Sequence, residues 1–179
     1  MNPFVFLIDI LLQLYISALM LRIILQIVRA DFYNPVSQFI VKITNPLVKP
    51  MRRIIPSLWG IDMATLVIVL LLEVVKTLVV YGVLPVDWLI IKSFIETINL
   101  VLSIFLYAII IQAILSWVNP DPRNPVVGLL NSITWPVLKH FRKLLPDMGG
   151  FDLSPIFAII AIMFVQQSIL YLFGMLLGG

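Results

Sequence analysis

The chain has 179 residues, 61% of them hydrophobic and 12% charged, with a formal charge of +3 and a mean hydropathy of +1.11. A soluble domain carries about 25% charged residues; half that share leaves too little polar surface to face water, so the main solvent is lipid. The absence of cysteine excludes disulfides, thiolate metal sites and cysteine nucleophiles, and no series of segments alternates with the period of two that a membrane barrel needs.

Residues 4–28 form the first apolar stretch, longer than the roughly 20 residues a membrane helix requires. With no basic leader and no small-residue cleavage site, it reads as a span and not as a cleaved signal. Asp9 and Arg22 lie within it. The next segment, 34–62, is less hydrophobic and heavily punctuated. Asn34 is placed to cap a helix starting at Pro35, where a missing amide donor costs nothing. Val36, Phe39, Ile40 and Ile43 follow at the spacing of one helical face. Thr44 stands just before Pro46, which predicts a break and a fresh start. The second short helix sets Leu47, Val48, Met51 and Ile54 against Lys49, Arg52 and Arg53, the pattern of a helix lying in the membrane interface. Pro56 is expected to end it, Gly60 to allow the turn back, and Asp62 to cap the following span.

That span covers 63–83 and contains Glu73 and Lys76, spaced i, i+3 and able to pair. The third stretch, 88–118, is overlong; its membrane part is read as 100–118, with 88–99 at the interface or entering from it. Segment 124–152 then repeats 34–62 without a gap, each match lying 90 positions later: Asn124, Pro125, Thr134, Pro136, Arg142, Lys143, Pro146 and Asp152. Residues 155–177 make the last span.

A long period in an apolar chain signals one structural unit used twice, here residues 1–86 and 87–179. Two crossings per unit return the chain to its starting side, so both units insert alike. The expected fold is an all-α membrane protein with four transmembrane helices. These form two parallel repeats (span, interfacial helices, span) about a pseudo-two-fold axis along the membrane normal, unlike the inverted repeats of many transporters. Nine of the 12 Lys and Arg residues lie in or beside the two repeated segments. The positive-inside rule then puts both segments in the cytoplasm and both termini outside.

Two sets of residues could carry function. Arg52, Arg53, Arg142 and Lys143, set in a repeated scaffold of proline, glycine and aspartate, suit anionic phospholipid headgroups or a membrane protein partner, which includes a second copy of the chain. Asp9, Arg22, Glu73 and Lys76 are ionisable groups at membrane depth, where such residues default to a functional reading. By helix rise, Arg22 is expected near the depth of Glu73, giving a neutralised polar network between the first two spans. Adding 90 to these positions gives Asn99, Gln112, Met163 and Gln166, so the second unit lacks the charges. Catalysis has no support: His140 is alone, and there is no phosphate loop, ligand cluster or nucleophile set. The chain therefore reads as non-enzymatic, without cofactor or metal, and it has no nucleic-acid fold signature.

The run Asp31-Phe32-Tyr33-Asn34-Pro35, with Thr44, Pro46, Arg52-Arg53-Ile54-Ile55-Pro56 and Asp62, repeated 90 positions on, resembles the YggT (YlmG) family. The second copy has Ser154-Pro155 after its aspartate, as is common in that family, where the first has Ala64-Thr65. The likeness covers nearly the whole chain and is to the two-repeat form of proteobacterial inner membranes. It implies a non-enzymatic multi-pass protein with periplasmic termini. It also implies a role linked to osmotic-stress tolerance in bacteria, or to division, nucleoid distribution and b-type cytochrome assembly in cyanobacterial and plastid relatives. Two functions follow as expectations: a membrane scaffold or assembly factor working through the cytoplasmic segments, or a component or regulator of ion or solute transport using the intramembrane charges.

Overall fold

A computed structural model describes residues 2–58, 60–118, 121, 124–144 and 152–177. These form six helices: α1 (Pro3–Ile27), α2 (Pro35–Met51), α3 (Met63–Tyr81), α4 (Val86–Val118), α5 (Pro125–Leu144) and α6 (Ser154–Leu177). Among the described residues there is no strand, only an isolated bridge between Leu58 and Ile61. Four helices, α1, α3, α4 and α6, are long and apolar enough to cross a membrane. The chain is thus an all-α, multi-pass membrane protein.

Polar residues start these helices as their chemistry requires. The side chains of Asn2, Asn34 and Asn124 accept from the amides of Phe4, Val36 and Val126, with proline at the next position in each case. Asp62 and Asp152 do the same for α3 and α6, accepting from the amides of Thr65 and Ser154. α1 ends in a Schellman turn: the Ala30 amide donates to Leu25 and the Arg29 amide to Gln26, which places Arg29 at φ 52°. That position usually belongs to glycine, which alone adopts it without a Cβ penalty.

α1, α3 and α4 pack together and α6 packs on α4, while α2 and α5 lie across one end of the bundle. The larger core joins Ile16, Leu19 and Ile23 of α1 to Val69 of α3, Ile40 and Val48 of α2, and Ile133 of α5. A second cluster gathers Ile109, Leu138, Ala158 and Ile162 of α4, α5 and α6.

Two expectations are corrected. The break at Thr44 and Pro46 does not occur: α2 is one helix with Pro46 and Pro50 inside it, and α5 runs unbroken through Pro136. A proline inside a helix frees a carbonyl one turn back and pushes on it. The carbonyl that Pro46 frees is that of Lys42, an exposed residue, and the residues on either side of it are held to α1, because Tyr15 donates to the Ile43 carbonyl at 3.3 Å and Arg22 to the Val41 carbonyl at 3.5 Å. Donors from neighbouring helices are what make prolines tolerable in membrane helices. The second correction concerns Pro56: α2 stops at Met51, and turn bonds from Ile54 and Ile55 to the Met51 carbonyl close it before that proline is reached. Its counterpart Pro146 lies outside the described residues, as do Trp59, Arg123 and Gly150. Residues 88–99 belong to one continuous helix of 33 residues, about 50 Å long and so longer than the roughly 30 Å hydrocarbon core.

The Schellman turn yields a test. Arg29→Val puts a β-branched side chain at positive φ and is expected to cost about 1–2 kcal/mol, whereas Arg29→Gly leaves stability unchanged or raises it. Denaturation of the two variants in detergent decides this, and equal midpoints would refute it.

Candidate functional site

The polar groups of the first unit meet where α1 ends, α2 crosses and α3 begins. Arg22 is 7% exposed, and its Nη1 donates to Thr44 Oγ1 at 2.7 Å, Asn45 Oδ1 at 3.1 Å and the Val41 carbonyl. Its Nε lies 3.8 Å from Asp62 Oδ2. Arg52 reaches the same carboxylate oxygen through Nε at 3.1 Å and also through Nη2. Thr65 completes the shell with its hydroxyl and amide. One fully buried carboxylate thereby ties two guanidiniums from different helices to the first turn of α3. Burial pushes the Asp62 carboxyl up; the hydrogen bonds from Arg52 and Thr65, with the Arg52 charge, outweigh it and hold its pKa below the ordinary value.

Thr44 was placed by sequence at a helix break; it is instead a helical residue whose hydroxyl donates back to the Ile40 carbonyl at 2.7 Å and receives Arg22. The expected approach of Arg22 to Glu73 is also corrected. Arg22 is engaged by α2 and Asp62, and Glu73 pairs separately with Lys76 at 2.7 Å. Lys76 also donates to Gln13 of α1. The Oε1 atom of Glu73, a fully buried residue, has no hydrogen-bond partner among the described residues. The Asp9 side chain forms no hydrogen bond or ion pair with a described residue.

The second unit has the same frame in a more open form. Arg142 pairs with Asp152 at 2.8 Å, yet the two side chains are 39% and 42% exposed. Burial raises the Asp152 pKa; the bonds from Ser154 and then Arg142 more than offset it, so the net direction is downward. Thr134 repeats the back-bond of Thr44, donating to Leu130 at 2.9 Å. At the position matching Arg22, Gln112 donates to Asn131 at 2.6 Å, and Trp135, in place of Asn45, lies under the Arg142 guanidinium. The two platforms touch where Asn34 Nδ2 donates to the Pro125 carbonyl at 2.6 Å.

Of the basic residues expected on the outer face, Arg52 and Arg142 are taken up by these aspartates, whereas Arg53 and Lys143 are exposed and bind no described residue. Lys42 and Lys49 share an exposed face of α2, about 20° apart at 100° per residue, and exposed Arg53 follows in the turn just past its end. Phe39 and Leu47 of the same helix, and Ile54 in that turn, are also exposed. A crevice of about 650 Å³ separates α1 from α4 and is lined by Gln13, Ser17, Glu96, Asn99 and Ser103, among others. No group of three or more His, Cys, Asp or Glu residues that could hold a metal occurs among the described residues.

Asn45, Thr65 and Tyr15 were not foreseen as partners. The only sequence signal for the first two was position, since one follows the repeated threonine and the other stands three residues after the capping aspartate.

The CCB3/YggT family model matches residues 1–83 and again 91–173. The chain is 48% identical over 164 residues to an uncharacterized protein of Pseudomonas aeruginosa, covering 88% of this chain and 83% of that one. It is 36% identical over 173 residues to the uncharacterized protein YggT of Escherichia coli K12, covering 94% and 90%. It is 38% identical over 185 residues to an uncharacterized protein of Vibrio alginolyticus, covering 99% and 97%. No solved structure matches.

The difference in burial between the two aspartates is measurable. Asp62→Asn leaves two guanidiniums without their carboxylate and is expected to cost about 3 kcal/mol; Asp152→Asn, at an exposed pair, costs under about 1 kcal/mol. A lowered folded pKa contributes stability that is present above the ordinary value of 3.8 and lost as pH falls below it. Wild-type stability from this source is therefore flat from about pH 7 to 5 and falls below about 4, while Asp62→Asn loses that acid-dependent part. Denaturation midpoints of the three proteins across pH test both statements; equal losses in the two variants would overturn them.

Proposed function

The chain belongs to the CCB3/YggT family, and from that premise we propose that it is a non-enzymatic scaffold or assembly protein of the bacterial inner membrane. On this reading both α2 and α5 face the cytoplasm, both termini face the periplasm, and the two basic helices engage anionic phospholipid, a membrane protein partner or a second copy. The observation that carries the reading is the surface of α2 and the turn that follows it, where Lys42, Lys49 and Arg53 are exposed, as are Phe39, Leu47 and Ile54. An apolar flank next to a basic stripe suits the boundary between acyl chains and headgroups. The positive-inside rule supports the orientation, since the connection from α3 to α4 carries no Lys or Arg. An osmotic-stress role is compatible with a platform that senses or organises the membrane surface.

Each basic residue near an anionic surface contributes about 1 kcal/mol. Changing Lys42, Lys49 and Arg53 together to Gln should weaken association with phosphatidylglycerol, or with a partner trapped by a photo-crosslinker at position 53, roughly tenfold or more. Native mass spectrometry and in-cell crosslinking read the two cases, and unchanged association in both would sink the proposal.

A second reading, a component or regulator of ion or solute transport, has in its favour the crevice between α1 and α4, mostly apolar but with Gln13, Ser17, Glu96, Asn99 and Ser103 in its lining, and the Glu73–Lys76 pair that reaches Gln13. It requires flux across liposomes containing the purified chain, and loss of that flux when Glu73→Gln and Lys76→Gln are combined. Absence of any flux removes it.

A further inference from the structure

A second cavity, of about 300 Å³, lies between the end of α1 and the start of α2. Its volume is at the low end for small-molecule sites. Arg22, Arg52, Ser37, Asn45 and Gln26 are among its lining residues. We propose that this cavity is a binding site for a phosphate-type oxyanion, either the phosphodiester of a lipid headgroup or free phosphate.

Charge makes the first argument. Two guanidiniums converge on the single carboxylate of Asp62, so one positive charge is left over, shared between Arg22, 7% exposed, and Arg52, 42% exposed. Such an excess beside a buried guanidinium favours an anion. Hydrogen bonding makes the second argument. Arg22 uses Nη1 for all its hydrogen bonds and Arg52 uses Nε and Nη2. This leaves Arg22 Nη2 and Arg52 Nη1 without an acceptor among the described residues. Ser37 is 4% exposed, lines the cavity, and its hydroxyl has no partner. A buried hydroxyl without a partner is uncommon, and a bound ion or water is one way to satisfy it. Ser37 also sits in the first turn of α2, the positive end of that helix's dipole. Three unused donors on two helices, beside an excess positive charge, match an anion with several acceptor oxygens.

The second unit supplies an internal comparison. Ninety positions on, Arg22 and Ser37 become Gln112 and Val127, and Gln112 is already occupied by Asn131. The site belongs to the first unit alone, and it uses none of the exposed basic residues of the scaffold proposal.

Full-length protein, stripped of lipid in a neutral detergent, provides the test. Its denaturation midpoint is followed against inorganic phosphate, short-chain phosphatidylglycerol and short-chain phosphatidylcholine at constant ionic strength. A saturable rise with inorganic phosphate assigns a free anion; a rise with phosphatidylglycerol alone, but not phosphatidylcholine, assigns a headgroup. Arg22→Gln, the residue of the second unit, and Ser37→Ala, which only removes a hydroxyl, should each weaken that binding, the first by roughly tenfold or more. Ser37→Ala keeps the Asp62 node intact and carries the test if Arg22→Gln does not fold. The proposal is overturned if neither inorganic phosphate nor phosphatidylglycerol binds saturably, or if Ser37→Ala binds as the wild type does.

Discussion

Asp62 holds the first unit together because three elements need the same carboxylate. It caps α3 through Thr65, receives Arg52 from the end of α2, and lies beside Arg22 from α1. A carboxylate with no exposed surface is tolerable only when its oxygens are filled and opposite charge is close, and both conditions are met by residues far apart in sequence. With its Nε beside Asp62, Arg22 directs Nη1 at the turn of α2 that precedes Pro46. The residues on either side of Lys42, whose carbonyl the proline frees, are thereby fastened to α1. The path of α2 across the bundle therefore rests on a charge carried by α1.

The second unit reaches a similar backbone with weaker chemistry. Its ion pair is half open to solvent, an uncharged Gln112–Asn131 bond replaces the buried arginine, and Trp135 lends its ring to Arg142. Pair burial and charge number thus differ between two segments that share capping and punctuation. The family model matches both segments, yet the buried charge is concentrated in the first.

Much of this was legible in the chain. Span number followed from length and hydropathy, because lipid leaves few alternatives to a helix. The caps at Asn34, Asn124, Asp62 and Asp152 followed from local chemistry acting over two or three residues. The failures share one cause. Proline rules describe a helix alone in solvent, so Pro46 and Pro136 predicted breaks; donors supplied by Tyr15 and Arg22 from another helix leave no trace in the local sequence. Matching depths by helix rise likewise set Arg22 near Glu73, since that arithmetic has no place for a crossing helix that intercepts the side chain first. The aspartates were read as caps and the arginines as surface charge, and each assignment was half of one ion pair.

The hydrogen bond from Asn34 to the Pro125 carbonyl joins the first turns of α2 and α5. Asn34 lies one helical turn from Ser37, and Pro125 opens the helix that carries Arg142 and Lys143. The two platforms are therefore thermodynamically linked and not independent copies. Whatever displaces α5 at that carbonyl alters the energy of seating α2, and the same free energy must act in reverse. A repeat arrangement that looks like redundancy becomes, through one amide, a means for each half to report on the other.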